Sequence, residues 1–442
     1  MAGLLGAILL FVLLALGMHI GIALAVSGFV GVAFLSGFEQ AISMSVTAIY
    51  HKVSGPALIT LPLFILMGYL ASGGGISATL YDSLGMWLGK IRGGLGIATV
   101  FACTAFGTVC GSSIVTTAVF ANLCAPEMRK HGYSKEMAYA ICASAGSIGM
   151  LIPPSIIGIV YGMVSGLSIG KVLMAGVMPG LIWAILFSLT IPISAKIYPS
   201  WIQPDPHIAQ ATWQQRISSL KHWWPILLVA GAMFGGIYGG IFTPTEAASV
   251  AAFIMMIYFA LIRVFRSKGE KRKQSLTELH QILKDTATTS ALVFLILGSA
   301  TIFSNFTVLT GMTDQINQLV KTYQLGPITL ILLFNFIYLI LGCFLDSISM
   351  ICITVPVFNP IITAAGIDPI WYATLVIIAV HIGLVTPPVG MNLYAAKGVA
   401  EPDVSLEDII RGIVPFLIAE TISFFLVLGF PILATYLPSF VG

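Results

Sequence analysis

Charge is scarce in this 442-residue chain: only 8% of its residues are Asp, Glu, Lys or Arg, against about 25% in an average globular domain. A soluble chain that is also 58% hydrophobic would expose more apolar surface than it can keep dispersed. Cysteine is scarce too. The six, at 103, 110, 124, 142, 343 and 352, lie in or beside apolar runs and form no CxxC pair. They indicate neither a zinc site nor a disulfide framework and read as small packing residues. HExxH, GxSxG, Walker A sequences and a membrane carboxylate pair are all missing, which argues against an intramembrane hydrolase and against ATP drive within the chain. Haem ligation needs facing histidines, yet only His19 and His381 sit in apolar runs, and nothing marks them as a pair.

What the chain has is apolar runs near helix-spanning length from end to end. It is therefore an all-α polytopic membrane protein. The opening "MAGLLGAILLFVLLALGMHIGIALAVSGF" lacks a basic n-region and runs past the length of a normal h-region, so it reads as the first membrane segment rather than a cleaved signal. One stretch is strongly soluble, "RVFRSKGEKRKQ" at 263–274. Its Lys and Arg place it on the cytoplasmic side. A second polar stretch at 196–224 carries Lys196, Arg216 and Lys221 and reads as cytoplasmic with an interfacial helix and Trp anchors. The apolar residues between them make two helices turning near "GGIFTPTEAAS", which returns the chain to the same side. Glu246 in that turn reads as a capping carboxylate.

The basic loop divides the chain into two similar parts. "PLFILMGYL" at 62–70 resembles "LVFLILGSA" at 292–300, with Phe64/Phe294 and Gly68/Gly298 in step. "FGTVCGSSIVTTAVF" at 106–120 faces "LGCFLDSISMICITV" at 341–355, "SIGMLIPPS" at 147–155 faces "HIGLVTPPV" at 381–389, and "VMPGLIWAI" faces "IVPFLIAET". A steady offset over more than a hundred residues marks an internal repeat. Such repeats are often inverted and meet at a site near the bilayer midplane. The expected layout is N-terminal scaffold helices with an interfacial arm over 1–55 and a first repeat over 56–196, holding a hairpin at 93–125 and a broken helix at 136–165. A linker, scaffold helices and the basic cytoplasmic loop follow over 197–279. The second repeat spans 280–442, with a hairpin at about 328–363 and a broken helix at 370–398.

The matched positions are helix breakers and small polar residues. Gly107, Thr108, Gly111, Ser112, Ser113, Thr116 and Thr117 interrupt an apolar run. Glycine lowers helix propensity and hydroxyls compete for backbone hydrogen bonds, so 93–125 reads as a re-entrant hairpin with a polar tip. Exposed backbone is prohibitive in hydrocarbon unless buried in protein or lining a cavity. Pro153 and Pro154 remove two donors, so carbonyls around Gly149 lose their helical partners. Carbonyls beside a Gly/Ser tip make an oxygen-lined pocket suited to Na⁺, and Gly-rich turns expose N–H groups that can face a carboxylate. The second half repeats this with Asp346 in its tip and Thr386, Pro387, Pro388 and Asn392 at its break. An ionisable residue at membrane depth is a functional candidate; for Asp346 the alternative is a structural cap. His381 reads equally as a structural histidine or as a proton or substrate contact, and Glu420 is undecided.

Taken in order, "GGLGIATVFACTAFGTVCGSS", "GSIGMLIPPS", "GGIYGGIFTPTEAASVAAF", "LGCFLDSISM" and "TPPVGMNLY" resemble the large membrane subunit of the TRAP (tripartite ATP-independent periplasmic) transporters over nearly the whole chain. The resemblance implies an inverted-repeat, elevator-type secondary transporter of the bacterial inner membrane, with a scaffold and a mobile transport domain. It implies uptake of an organic anion, a carboxylate or sialic acid, driven by Na⁺ and with no other cofactor. The implied partners are a periplasmic substrate-binding protein, a small four-helix membrane subunit as a separate chain, and the bilayer, with no nucleic acid. By motif, the first sodium site takes Gly107, Cys110, Gly111, Ser112 and Ser113 with Gly149, Ile152 and Pro154. The second takes Gly342, Asp346 and Ser347 with Gly383 and Thr386. Substrate contacts fall on Ser112, Thr116, Asp346, Ser349, Pro388 and Asn392. The family usually has Ser-Gly-Ser at the first tip, where this chain has Cys110-Gly111-Ser112. The rival reading is a stand-alone ion-coupled carboxylate transporter with hairpins. A structural subunit would not need two matched breaks.

Overall fold

The structure is a computed structural model that describes residues 2–203 and 211–441. Residues 204–210 of the second polar stretch lie outside the described residues. Those described form helices and turns, with one isolated bridge pairing Tyr133 and Ile202.

The first part holds α1 (Ala2–Ala15), α2 (Ile20–Ser36), α3 (Phe38–Val53), α4 (Thr60–Gly73) and α5 (Ile76–Leu88). The stretch read as a first hairpin is α6 (Gly94–Cys110) and α7 (Ser113–Lys130). The stretch read as a broken helix is α8 (Lys135–Ile148) and α9 (Ile156–Ser165), followed by α10 (Ile169–Ala175) and α11 (Val177–Ile197). Next come α12 (Trp213–Leu220), α13 (Trp224–Tyr238) and α14 (Pro244–Phe259). The 40-residue α15 (Glu270–Leu309) starts inside the basic loop; α16 (Met312–Thr322) follows it. The second half then repeats the first: α17 (Pro327–Gly342), α18 (Ser347–Ala364), α19 (Pro369–Val385), α20 (Met391–Gly398), α21 (Leu406–Gly429) and α22 (Ile432–Thr435).

Local chemistry sets these ends. Thr243 and Glu246 close a capping box on α14 with Pro244 at its first position, a placement where a missing N–H costs nothing. Glu246 is thus a cap, as its sequence context suggests. Among the described residues, six helical segments are long and apolar enough to cross a membrane, α15 and α21 included. The hairpin arm α6 is not one of them: its 17 residues reach only ~25 Å, short of a ~30 Å hydrocarbon core. It stops inside the protein.

The two halves pack reciprocally. Within each half, the first hairpin arm lies on the helix before the break, α6 on α8 and α17 on α19. Between halves, α7 packs on α20 and α18 packs on α9. Each hairpin therefore leans on the other half's broken helix, the exchange that a two-fold relation produces.

Candidate functional site

The first tip is a two-residue turn. Gly111 ends α6 in the left-handed region at φ +65°, and its N–H donates to Gly107 O at 3.0 Å. Only glycine takes that conformation without strain. Extended Ser112 then starts α7. The Thr116 hydroxyl donates to Ser112 O at 2.8 Å, and the Cys110 thiol points to the same oxygen at 3.9 Å.

The first break lies against this tip. A Cβ built on Gly107 would lie 2.2 Å from Gly149 Cα, and one on Gly111 would lie 2.6 Å from Pro154 O. Ile156 N–H donates to Gly111 O at 3.4 Å, bridging break to tip. Among the described residues, no backbone N–H donates to the carbonyls of Gly149 through Pro154. All six residues are buried. The Ile152 side chain turns away to fill the space over Gly180. The sequence-predicted tip and break residues are thus brought together, with main-chain oxygen left to line them. Both Pro–Pro bonds, 153–154 and 387–388, are cis.

The second half has the same crossing. A Cβ on Gly342 would lie 2.7 Å from Gly383 Cα, and the reverse distance is also 2.7 Å. Among the described residues, no backbone N–H donates to the carbonyls of Leu384 through Val389. The Thr386 hydroxyl donates back to Ile382 O at 2.5 Å. Asp346 caps α18: its Oδ1 accepts from Ile348 and Ser349 N–H at 3.0 Å each, and Ser349 Oγ donates to its Oδ2. The carboxylate therefore holds the cap read as its alternative role, while Ser347 begins the helix beside it. The hydroxyl protons of Ser349 and Thr116 are already used within their own tips. Unlike buried Pro154, Pro388 is exposed.

A buried bond ties the first tip to the other half. Ser113 Oγ donates to Asn392 Oδ1 at 3.1 Å, both fully buried. It links the first tip to the helix after the second break. At the base of the first hairpin, Arg129 reaches across to Asp403 through two hydrogen bonds, of 2.7 and 3.0 Å, and also pairs with Glu401. The Arg129 guanidinium holds Asp403 below the usual carboxylate range.

Three features escaped the sequence reading. A Cβ on Gly68 of α4 would lie 2.7 Å from Cys110 O, so the first tip is seated on α4. Gly298, its partner in the repeat, faces the side chain of Ile49 instead. A cavity of about 450 Å³ opens between α3 and α15, lined by Ser43, Thr47, His51, Lys52, Thr301 and Asn305. Lys52 Nζ also donates to Met163 O of α9 at 2.8 Å. Among the described residues, no group of three or more His, Cys, Asp and Glu has a metal-ligating arrangement.

The family model described as "Tripartite ATP-independent periplasmic transporter, DctM component" matches residues 7–433. The chain belongs to this TRAP family. It is 32% identical to the C4-dicarboxylate TRAP transporter large permease protein of Vibrio cholerae, over 98% of this chain and 97% of that one. It is 33% identical to the ectoine/5-hydroxyectoine large permease protein of Ruegeria pomeroyi, over 92% of each. Among solved structures, the YdaH transporter of Alcanivorax borkumensis aligns over 90% of both chains with a TM-score of 0.64 at 15% identity, a likeness of fold alone. The chain is thus the large, multi-pass permease subunit of a TRAP transporter.

Proposed function

We propose that this permease imports a small organic anion against its gradient by carrying it with Na⁺ in an elevator movement. The observation that carries the reading is the duplicated crossing, Gly107 on Gly149 and Gly342 on Gly383. Each crossing aligns a tip with a run of carbonyls that, among the described residues, receive no backbone N–H. Na⁺ suits such oxygen cradles, as at unwound transporter helices, and a charged ligand is not required. In the first site the oxygens come from Gly107 and Cys110–Ser113 with Gly149, Ile152 and Pro154. The second uses Gly342 and Asp346–Ser347 with Gly383 and Thr386. If main-chain oxygens alone hold the ion, the tip hydroxyl missing at Cys110 does not disable the first site; if the hydroxyl binds, it does.

Unequal seating of the tips supports a moving body. Tip one rests on Gly68 while Gly298 meets Ile49. Two inverted repeats with one tip seated imply a second state with the other seated. Ser112, Thr116, Asp346, Ser349, Pro388 and Asn392 are the residues assigned in this reading to the cargo, and Lys52, in the cavity between α3 and α15, is assigned to attract the anion. A C4-dicarboxylate or sialic-acid-like acid fits this chemistry. A periplasmic binding protein delivers the cargo, and a small four-helix membrane subunit braces the static helices. The basic loop at 263–274 lies in the cytoplasm, with the permease in the inner membrane.

The test is uptake by proteoliposomes holding the permease, the small subunit and the binding protein. Replacing external Na⁺ by choline is expected to stop uptake. Proton-driven uptake indifferent to Na⁺ would overturn the coupling. Uptake that survives omission of the binding protein would favour the stand-alone reading.

A further inference from the structure

Helix α12 presents an apolar stripe with unpaired positive charge beside it. Trp213, Ile217 and Leu220 recur at helical spacing and all three are exposed, Trp213 at 69%. Thr212 and Gln215 close a capping box that fixes where the helix starts. The other side of α12 is pinned to α5: Ser83 Oγ donates to Ser219 Oγ at 2.8 Å, and the Trp223 indole N–H donates to Ser83 Oγ at 2.9 Å. Trp87 of α5 meets Trp213 edge-on, with ring centroids 5.9 Å apart. The stripe is thus held in a fixed orientation.

Arg216 stands on the border between the stripe and the pinned side. Its guanidinium carbon lies 5.3 Å from the Trp213 ring centre, within cation–π range. Its Nε is covered by protein and has no acceptor. Among the described residues, no carboxylate or carbonyl pairs with its terminal nitrogens. A guanidinium fixed on a ring with its fork unpaired is suited to take two oxygens of a phosphate. Exposed Lys221 follows α12 directly, and exposed Lys90 stands three residues beyond Trp87. Neither has an ion-pair partner among the described residues.

The nearby carboxylate faces elsewhere. α12 itself carries none. Asp82 of α5 opens into a separate cavity of about 400 Å³ with Gln215, Ser218 and His222. At about 100° per residue, Gln215 and Ser218 project on the side of Ser219 away from Arg216. Trp224, exposed at the start of α13, and Trp213 hold α12 at the level where headgroups lie. An apolar stripe beside unpaired cations calls for a ligand with a fatty part and an anionic part. A soluble anion would leave the stripe bare. A zwitterionic lipid would bring its ammonium towards Lys90 and Lys221.

We propose that α12 and the end of α5 bind one anionic phospholipid, its phosphate on Arg216 and its acyl chains over Trp213, Ile217 and Leu220. Lys90 and Lys221 supply the field that favours a headgroup of net negative charge, and the stripe supplies the apolar area that an interfacial helix needs. The site requires only that the chain lie in a bilayer; sodium coupling plays no part in it.

Native mass spectrometry of the permease with its small subunit, titrated with phosphatidylglycerol or phosphatidylcholine, tests the site. One phosphatidylglycerol is expected to be retained several-fold more tightly than phosphatidylcholine. Arg216→Gln should remove that preference and leave phosphatidylcholine retention as it was, whereas Lys271→Gln in the basic loop should change neither. If Arg216→Gln fails to assemble, Trp213→Leu decides: it keeps the stripe apolar but takes away the ring beneath the guanidinium, and should weaken the preference. Equal retention of the two lipids by the wild type would overturn the site. So would a preference kept in full by the deciding variant, or one lost as fully in Lys271→Gln. Phosphatidylglycerol retained only once the small subunit is removed would also overturn it, and would give the stripe to a protein partner.

Discussion

Gly107 and Gly149 cross backbone to backbone: each stands where the other's side chain would be, and a Cβ on Gly107 would lie 2.2 Å from Gly149 Cα. No real Cβ makes such a contact, so any larger residue at either position must part the hairpin from the broken helix. Overpacking of this kind costs about 1–3 kcal/mol. Gly107→Val and Gly149→Val are expected to abolish Na⁺-dependent thermal stabilisation and cut uptake at least about tenfold. Gly342→Val should do the same through the second crossing. Retention of full Na⁺-dependent stabilisation in any of the three would show that the crossing does not shape its site.

Gly68 seats the first tip through Cys110 O. Gly68→Leu is expected to unseat it and shift the population towards the state in which the second tip is docked, read as changed accessibility of a cysteine placed at the exposed Phe344. Gly298→Leu should leave this state intact and hinder the opposite one, slowing turnover while sparing binding. Equal effects of the two substitutions on accessibility would contradict an asymmetric pair of seats.

How far the sequence foretold this geometry depends on which atoms are involved. Gly149, Pro153, Gly383 and Pro387 announce their breaks because proline's missing donor and glycine's missing Cβ act locally. Gly111 and Ser112 announce a turn for the same reason. Asp346 was ambiguous: a carboxylate in an apolar run fits an ion site or a cap, and only the positions of Ile348 and Ser349 N–H reveal the cap. The repeat alignment already matched Gly68 with Gly298, yet no periodicity says that one touches a tip and the other does not. That difference belongs to the conformational state. Lys52 was passed over because its cavity is made by α15, more than two hundred residues away in sequence. The Ser113–Asn392 bond likewise joins different halves.

That bond offers a cleaner test of coupling between halves. Ser113→Ala and Asn392→Ala are each expected to weaken transport, and their double-mutant cycle should give an interaction energy of about 0.5–3 kcal/mol. Additive losses would mean that the two side chains act separately.

Lys52 is expected to contribute to anion capture more than to movement. Lys52→Gln should raise the KM for cargo several-fold with kcat largely kept, the pattern of lost uniform binding. A fall in kcat with unchanged KM would instead assign Lys52 to its contact with Met163.

The Arg129–Asp403 staple has a defined pH sign. Asp403 is held below its ordinary range, so its stabilising effect is complete above the unfolded value of about 3.9 and fades as pH falls through the depressed one. Arg129→Ala should therefore loosen residues 126–134 at neutral pH, seen as faster amide exchange, and the difference from wild type should shrink only in strongly acidic buffer.

The most direct measurement is a cryo-EM map of the complete transporter in Na⁺, set against one in choline. A cation density is expected at each crossing, against the carbonyls of the Cys110–Ser112 tip and the Gly149–Pro154 break, and again between the Asp346 tip and Gly383–Thr386; both should be missing in choline. Protein atoms filling those spaces in Na⁺, or identical maps in the two salts, would contradict the assignment of the paired breaks as sodium sites.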